Sequence, residues 1–337
     1  MEYRQNHRLK DYNSFRTEAV AKIFCRPQSV SELQKCIQDN PNEKKLIIGQ
    51  GCNLFFTQDF DGLVICPNIK GIRESWDDED FEEENDLFIE VNASENWDQF
   101  VEYCVTNGYA GIENLSHIPG TVGAAPVQNI GAYGAEVKDV IREVVALDIN
   151  TGEVVSFTNQ ECEFGYRDSM FKRTQKYVIV SVVFHLKKAF SYIPKYIDLN
   201  NELKEIESPT LQEVRDAVIR VRKRKLPDEN ELPNAGSFFK NPYISGELSA
   251  RLLKEYPDMP AFPQKNGTVK TSAAYLVDRS GYKDKRKANV GTYASQPLVI
   301  VNYGTADGND IVRFSQEIQA AVTAKFGIRL EPEVRIF

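Results

Sequence analysis

The chain has 337 residues, 27% charged and 42% hydrophobic, a composition that suits a globular protein with two or three domains. Its formal net charge of −8 argues against general nucleic-acid binding, which needs a basic face, and no apolar run is long enough for membrane insertion. The six cysteines (Cys25, Cys36, Cys52, Cys66, Cys104, Cys162) include no CxxC pair, and there are only three histidines (His7, His117, His185), so neither a disulfide framework nor a transition-metal site is expected. The first fifteen residues lack the apolar centre of a secretory signal, and a cytoplasmic protein is the expectation.

In chain order, RPQSVSELQKCIQD reads as an amphipathic helix with Ser29 and Glu32 at capping-box spacing. KKLIIGQGCNLFF reads as a buried strand that runs into a glycine turn. GLVICPNI, LFIEVNA, VVALDI, EVVSFT and YVIVSVVFHL are further strands, rich in Val and Ile. WDQFVEYCVTNG between them is a helix that Gly108 can stop. The acidic run WDDEDFEEENDLF reads as a solvated hairpin or loop. Strands with few helices and no βαβα rhythm predict an α+β arrangement rather than a doubly wound sheet. The polar, aperiodic stretch AFSYIPKYIDLNNELKEIESPT reads as a domain junction. Beyond it, SPTLQEVRDAVIRVRKRKLP is a helix with a Thr210/Glu213 capping box, an apolar face of Val214, Ala217, Val218 and Val221, and a stop at Pro227. SGELSARLLKEYP, TSAAYLVDRSG and NDIVRFSQEIQAAVTAKFG are three more helices, and PLVIVN and EPEVRIF are strands.

Several stretches carry chemistry. GQGCNL (Gly49 to Leu54) has leucine where a dinucleotide fingerprint needs its third glycine, and no helix follows, which excludes a Rossmann site. It remains either an anion-binding nest of backbone N–H groups or an ordinary strand turn. IPGTVGAAPVQNIGAYG (Ile118 to Gly134) needs very little side-chain volume, which suits a flat or phosphorylated ligand, or a tightly packed helix–loop junction. In FGYRDS, an extended backbone would turn Arg167 away from Tyr166 and Asp168; a surface turn is the other reading. Ser237 in PNAGSFFKNP could be a catalytic group, a phosphate ligand or a packed turn serine. The lack of a GxSxG elbow and the scarcity of histidine argue against a hydrolase nucleophile. In LEPEVRIF, strand alternation puts Glu331, Glu333 and Arg335 on one face and cannot choose between the two acids.

Taken in order, GQGCN, IPGTVGAAPVQNIGAYG, FGYRDSMFK, KLPD, NAGSFFKNP and LEPEVR span Gly49 to Arg335. This series resembles the UDP-N-acetylenolpyruvoylglucosamine reductase family, flavoenzymes of bacterial cell-wall synthesis, in its longer subclass. The resemblance implies an FAD-binding fold of the vanillyl-alcohol-oxidase or p-cresol-methylhydroxylase type with a smaller α+β substrate-binding domain. Residues 1–70 and 71–200 would form two FAD-binding subdomains, and 201–337 the substrate domain, whose last strand returns a catalytic glutamate. FAD would be held by Gly49, Gln50, Gly51, Cys52, Asn53, Leu54, Gly120, Thr121, Gly123, Ala124, Pro126, Asn129, Gly131, Ala132 and Tyr133. Ala124 and Ala125 stand where many relatives carry a hydroxyl, so contacts from there would come from backbone.

The implied reaction converts UDP-N-acetylglucosamine enolpyruvate to UDP-N-acetylmuramate. NADPH reduces FAD, and flavin N5 then delivers hydride to the vinyl carbon. Arg167 matches the cation that stabilises the resulting enolate, Ser237 the acid that protonates it, and Glu333 the second acid near the carbanion. Tyr166, Tyr196, Lys225, Asn241 and Gln296 match substrate-contacting positions. The implied partner is a small nucleotide sugar, with no nucleic acid, and the chain would act as a monomer. A related FAD-dependent oxidase or dehydrogenase acting on another sugar or hydroxy acid, and a non-catalytic nucleotide-sugar binder, are the competing classes.

Overall fold

The computed structural model describes residues 1–75, 86–193 and 196–337; the centre of the acidic run read as a solvated loop lies outside the described residues. The chain divides into two compact units. One comprises Met1–His7, Ala21–Gln50 and Asp61–Arg222, and the other Arg8–Val20, Gly51–Phe60 and Lys223–Phe337.

In the first unit, helix α1 (Val30–Asp39) lays Leu33, Cys36 and Ile37 on a sheet ordered Tyr3–Arg8, Val20–Cys25, Phe60–Ile65, Lys45–Ile47. The Ser29 side chain accepts the Glu32 N–H as the spacing predicts, but the Glu32 carboxylate reaches Gln28 rather than the cap itself. A second, antiparallel sheet is ordered Val154–Thr158, Ile141–Asp148, Tyr177–Lys187, Asp86–Asn92, Ile72–Ser75. Its Leu87, Ile89, Val91, Val182 and Phe184 are buried with Trp97, Phe100, Val101 and Cys104 of helix α2 (Trp97–Thr106). Trp97 meets its one polar obligation in that core by donating from Nε1 to the Leu115 carbonyl at 2.9 Å. Asn96 caps α2, and Gly108, at φ 77°, stands just past its end as expected.

Two short helices follow, α3 (Ala124–Gln128) and α4 (Met170–Thr174). The stretch read as an aperiodic junction contains helix α5 (Ile197–Leu203), whose Leu199 and Leu203 are buried against Val214, Ala217, Val218 and Val221 of helix α6 (Leu211–Lys225). Two apolar residues on two turns are too few to show a helical period in sequence. The Thr210/Glu213 capping box forms in both directions: Thr210 N–H donates to the Glu213 carboxylate at 2.8 Å and Glu213 N–H to the Thr210 hydroxyl at 3.2 Å.

The second unit is built on a sheet ordered Asn234–Ser237, Gln296–Asn302, Val290–Tyr293, Arg286–Lys287. Helix α7 spans Gly246–Glu255. Helix α8, expected to run through TSAAYLVDRSG, covers Ala273–Val277 and loosens into a wide turn in which Gly281, at φ 79°, leaves helical geometry. Helix α9 (Gly308–Phe326) buries Ile311, Phe314, Ile318 and Val322. The strand expected over EPEVRIF shrinks to Arg335–Ile336, paired parallel with Leu54–Phe55. Pro332 pairs with Phe239 as a lone antiparallel bridge, and between 331 and 337 only Val334 is buried while Ile336 is 40% exposed. Among the described residues no helix is long and apolar enough to cross a membrane. The mixture of largely antiparallel sheets and separate helices is the α+β class that the element pattern predicts.

Thr210→Ala removes the acceptor of the Glu213 N–H, and it should lower the unfolding free energy by about 1 kcal/mol. The measurement is the urea midpoint of the far-UV circular dichroism signal; an unmoved midpoint would mean the cap contributes nothing.

Candidate active site

In the first unit, the segment expected to need little side-chain volume runs antiparallel to residues 93–97. Trp97 N–H donates to the Gly120 carbonyl at 3.0 Å, Val122 N–H to Glu95 at 2.9 Å, and Gly123 N–H to Ala93 at 2.9 Å. This close approach dictates the small residues: a Cβ on Gly123 would lie 2.5 Å from the Ala93 Cβ, and one on Gly49 2.8 Å from the Thr121 hydroxyl. Gly120 is different. Its φ of 130° is accessible only to glycine in practice, and an added Cβ would meet nothing within 4 Å. The loop is therefore crowded on its protein side and bare on the other, a cradle that a side chain would fill and that suits a flat, phosphorylated group.

Pro126 is buried within α3, and Asn129, left-handed at φ 45°, caps that helix. Asn129 is fully buried. Its amide donates to the Gly165 carbonyl at 2.8 Å and accepts the Lys138 N–H at 3.2 Å, so it ties the loop to the FGYRDS segment. Gly131–Ala132 and Ala135–Glu136 then form a hairpin whose two central residues, Tyr133 and Gly134, both have positive φ (48° and 81°). Tyr133 stacks edge-on against Tyr196 at 5.3 Å, and burial raises its phenol pKa. Tyr196 is 40% exposed.

Arg167 is not in extended backbone. Gly165 and Asp168 close a tight turn through 2.9 and 3.3 Å hydrogen bonds, and Arg167 sits in it at φ 54°. Its guanidinium donates to the carbonyls of Asn129, at 3.4 Å, and Gly131. A Cβ on Gly131 would lie 2.8 Å from Arg167 Nη1, so that glycine makes room for the cation. Asp168, meanwhile, pairs with Arg173. Tyr166 lies beside Arg167, its ring centroid 5.4 Å from the guanidinium carbon. The turn arises because Asn129, 36 residues earlier, holds the Gly165 carbonyl, a contact that strand periodicity does not register.

In the second unit, Ser237 ends the strand Asn234–Ser237, opposite Val299 across a register shift, with Gly236 at φ 67° before it. Phe238 and Phe239 are fully buried and anchor the segment, while Ser237 itself is half-buried. No group among the described residues hydrogen-bonds its hydroxyl. The C-terminal segment lies antiparallel to it: Glu333 N–H donates to the Phe238 carbonyl at 2.8 Å and Lys240 N–H to Glu331 at 2.9 Å. Asn53 donates through its side chain to the Glu333 carbonyl at 3.2 Å and accepts the Arg335 N–H on its backbone at 3.0 Å. Ser237, Glu333 and Asn53 are thus brought together by backbone pairing. Glu331 is exposed whereas Glu333 is half-buried, a distinction that alternation could not make. Asn241 uses its amide oxygen to hold the Ala273 N–H at the start of α8, at 2.9 Å. Lys225 and Gln296 are half-buried, at the end of α6 and the start of the strand Gln296–Asn302. Cys52, in the glycine loop beside Gly51 and Asn53, has its thiol pKa pushed up to about 12, mainly by burial and also by Glu229.

Residues 21–158 match the model of an FAD-binding domain, and residues 227–337 that of the UDP-N-acetylenolpyruvoylglucosamine reductase C-terminal domain. Across its whole length the chain is 43% identical to the UDP-N-acetylenolpyruvoylglucosamine reductase of Flavobacterium johnsoniae, covering all of that protein. It is 42% identical to the enzyme of that name from Amoebophilus asiaticus, covering 99% of it. Among solved structures, the reductase of Thermus caldophilus superposes with a TM-score of 0.68 at 22% identity, over all of this chain and 98% of that one, a likeness of fold. The α+β architecture therefore combines an FAD-binding domain with the reductase's own C-terminal domain. The chain belongs to the UDP-N-acetylenolpyruvoylglucosamine reductase family.

Proposed function

We propose that this chain reduces UDP-N-acetylglucosamine enolpyruvate to UDP-N-acetylmuramate with NADPH as electron donor, working as a monomer in the bacterial cytoplasm. The observation that carries the reading is the Ser237 hydroxyl, half-buried, unclaimed by any described residue and set by backbone pairing beside Glu333. A turn serine satisfied by its own backbone would not leave its hydroxyl available for proton transfer.

Residues 1–70 and 71–200 are assigned to FAD and 201–337 to the sugar nucleotide. FAD is held by the glycine loop Gly49, Gln50, Gly51, Cys52, Asn53 and Leu54, and by Gly120, Thr121, Gly123, Ala124, Pro126, Asn129, Gly131, Ala132 and Tyr133. Bound and reduced by NADPH, it supplies a hydride to the vinyl carbon of the substrate. The protein must manage the negative charge this leaves on the neighbouring carbon and its carboxylate. Arg167 supplies the permanent cation, in a place fixed by the Asn129 and Gly131 carbonyls. Ser237 donates its proton to the carbanion carbon, and Glu333 holds or relays a proton beside it. Asn241, with its oxygen committed to Ala273, offers its amide N–H to the substrate. Lys225, Tyr166, Tyr196 and Gln296 complete the grip on the diphosphate, sugar and uridine.

The two half-reactions separate under anaerobic conditions. NADPH should bleach the yellow flavin, and UDP-N-acetylglucosamine enolpyruvate should restore the colour; bleaching without restoration would mean a different substrate. Ser237→Ala should leave the bleaching step nearly unchanged and slow the restoring step by about 10²–10⁴-fold. Equal loss in both steps would reduce Ser237 to a structural residue. Arg167→Lys should slow restoration by at least about tenfold, since an ammonium cannot reproduce the two-point fork of a guanidinium.

A further inference from the structure

A buried ion pair holds His117, the residue just upstream of the cradle loop. Arg215 of α6 is 4% exposed, and it donates to both oxygens of Asp98, in the first turn of α2, at 2.6 and 3.1 Å. Asp98 has a second partner, because one of the same oxygens accepts the backbone N–H of His117. The other end of the His117 residue is held as well: Arg222, two turns beyond Arg215 on α6, donates from Nε to the His117 carbonyl at 3.0 Å. Burial works against ionisation of Asp98, but the hydrogen bonds from His117 and Arg215 outweigh it and keep the carboxyl ionised well below the usual range.

His117 needs such a grip. It has a φ of 60°, a left-handed conformation that disfavours any residue with a Cβ, and no glycine relieves it. Ile118 and Pro119 follow, and then Gly120, whose bare side forms the cradle. Backbone pairing of 93–97 with 120–123 holds the far side of this loop, and Asp98 holds the near side at His117. A buried Arg–carboxylate pair is weak evidence of net stability, since apolar replacements often serve as well, but it fixes position in two dimensions.

We propose that Asp98, Arg215 and Arg222 are positioning residues for the flavin: they clamp His117 in a left-handed turn and so set the path of the Ile118–Gly123 cradle before the cofactor arrives. This rests on the reading of that loop as an FAD contact. Their hydrogen bonds fall on the His117 backbone, with the Asp98 carboxylate also 3.9 Å from the imidazole Nδ1, so the clamp should be replaceable by a residue that adopts the turn unaided. Glycine at position 117 is that residue.

The test follows flavin release from the purified holoenzyme by the recovery of free-flavin fluorescence after dilution. Asp98→Ala should speed release about five- to thirtyfold, the range set by the preference against left-handed backbone. In an Asp98→Ala/His117→Gly double variant, release should return to within about twofold of His117→Gly alone. A packing defect between α2 and α6 would not be cured by glycine at position 117, so a double variant as leaky as Asp98→Ala overturns the proposal, as does unchanged release in Asp98→Ala. Should Asp98→Ala fail to fold, Arg215→Met, which keeps the buried volume, gives the same comparison with and without His117→Gly. If the parent protein carries no flavin at all, the FAD reading itself falls; if it carries flavin and the variants behave alike, only the clamp falls.

Discussion

Three backbone hydrogen bonds between residues 93–97 and 120–123 are the constraint on which the first unit's site depends. They bring two main chains so close that Gly123 has no room for a methyl group beside Ala93. Side chains are excluded from one side of the loop by that contact, while the other side, at Gly120, is bare. The sheet and α2 behind the seam, with Trp97, Phe100 and Phe184 in the core, provide the stiffness that keeps it in register.

The second unit solves a different problem with the same means. Ser237 and Glu333 are brought side by side, although they stand almost a hundred residues apart. The buried Phe238–Phe239 pair fixes one strand, and the segment around Glu333 lies down beside it through main-chain hydrogen bonds. Asn53 adds a third point from the glycine loop by holding the Glu333 carbonyl. A residue expected to face a cofactor thus also braces the acid, so a change at Asn53 acts on both.

Patterns that rest on neighbours in sequence were legible. Val- and Ile-rich runs became strands, Thr210 and Glu213 closed their box, and Gly108 stood past the end of α2. Features that rest on distant partners were not. A turn at FGYRDS is one of the two readings of its sequence, but the positive φ of Arg167 and the hold of Asn129 on Gly165 have no local sign, and the strand that alternation predicted over EPEVRIF is only Arg335–Ile336. The His117 clamp left a trace that period alone could have exposed. Arg215 lies four residues after Leu211 and three before Val218, on the buried stripe of α6, and Arg222 follows seven later. Charged residues on an apolar stripe ask for a partner. The glycine-poor left-handed position at His117 itself has no signature in sequence.

Cys52 carries a consequence for inhibitor chemistry. A cysteine in a glycine-rich loop invites electrophilic warheads, whose rate depends on the thiolate. Burial pushes this thiol's pKa up to about 12, so the protonated form prevails at neutral pH. It behaves as a small apolar group that lines the loop. Compounds that seek covalent capture there would meet a poorly nucleophilic thiol.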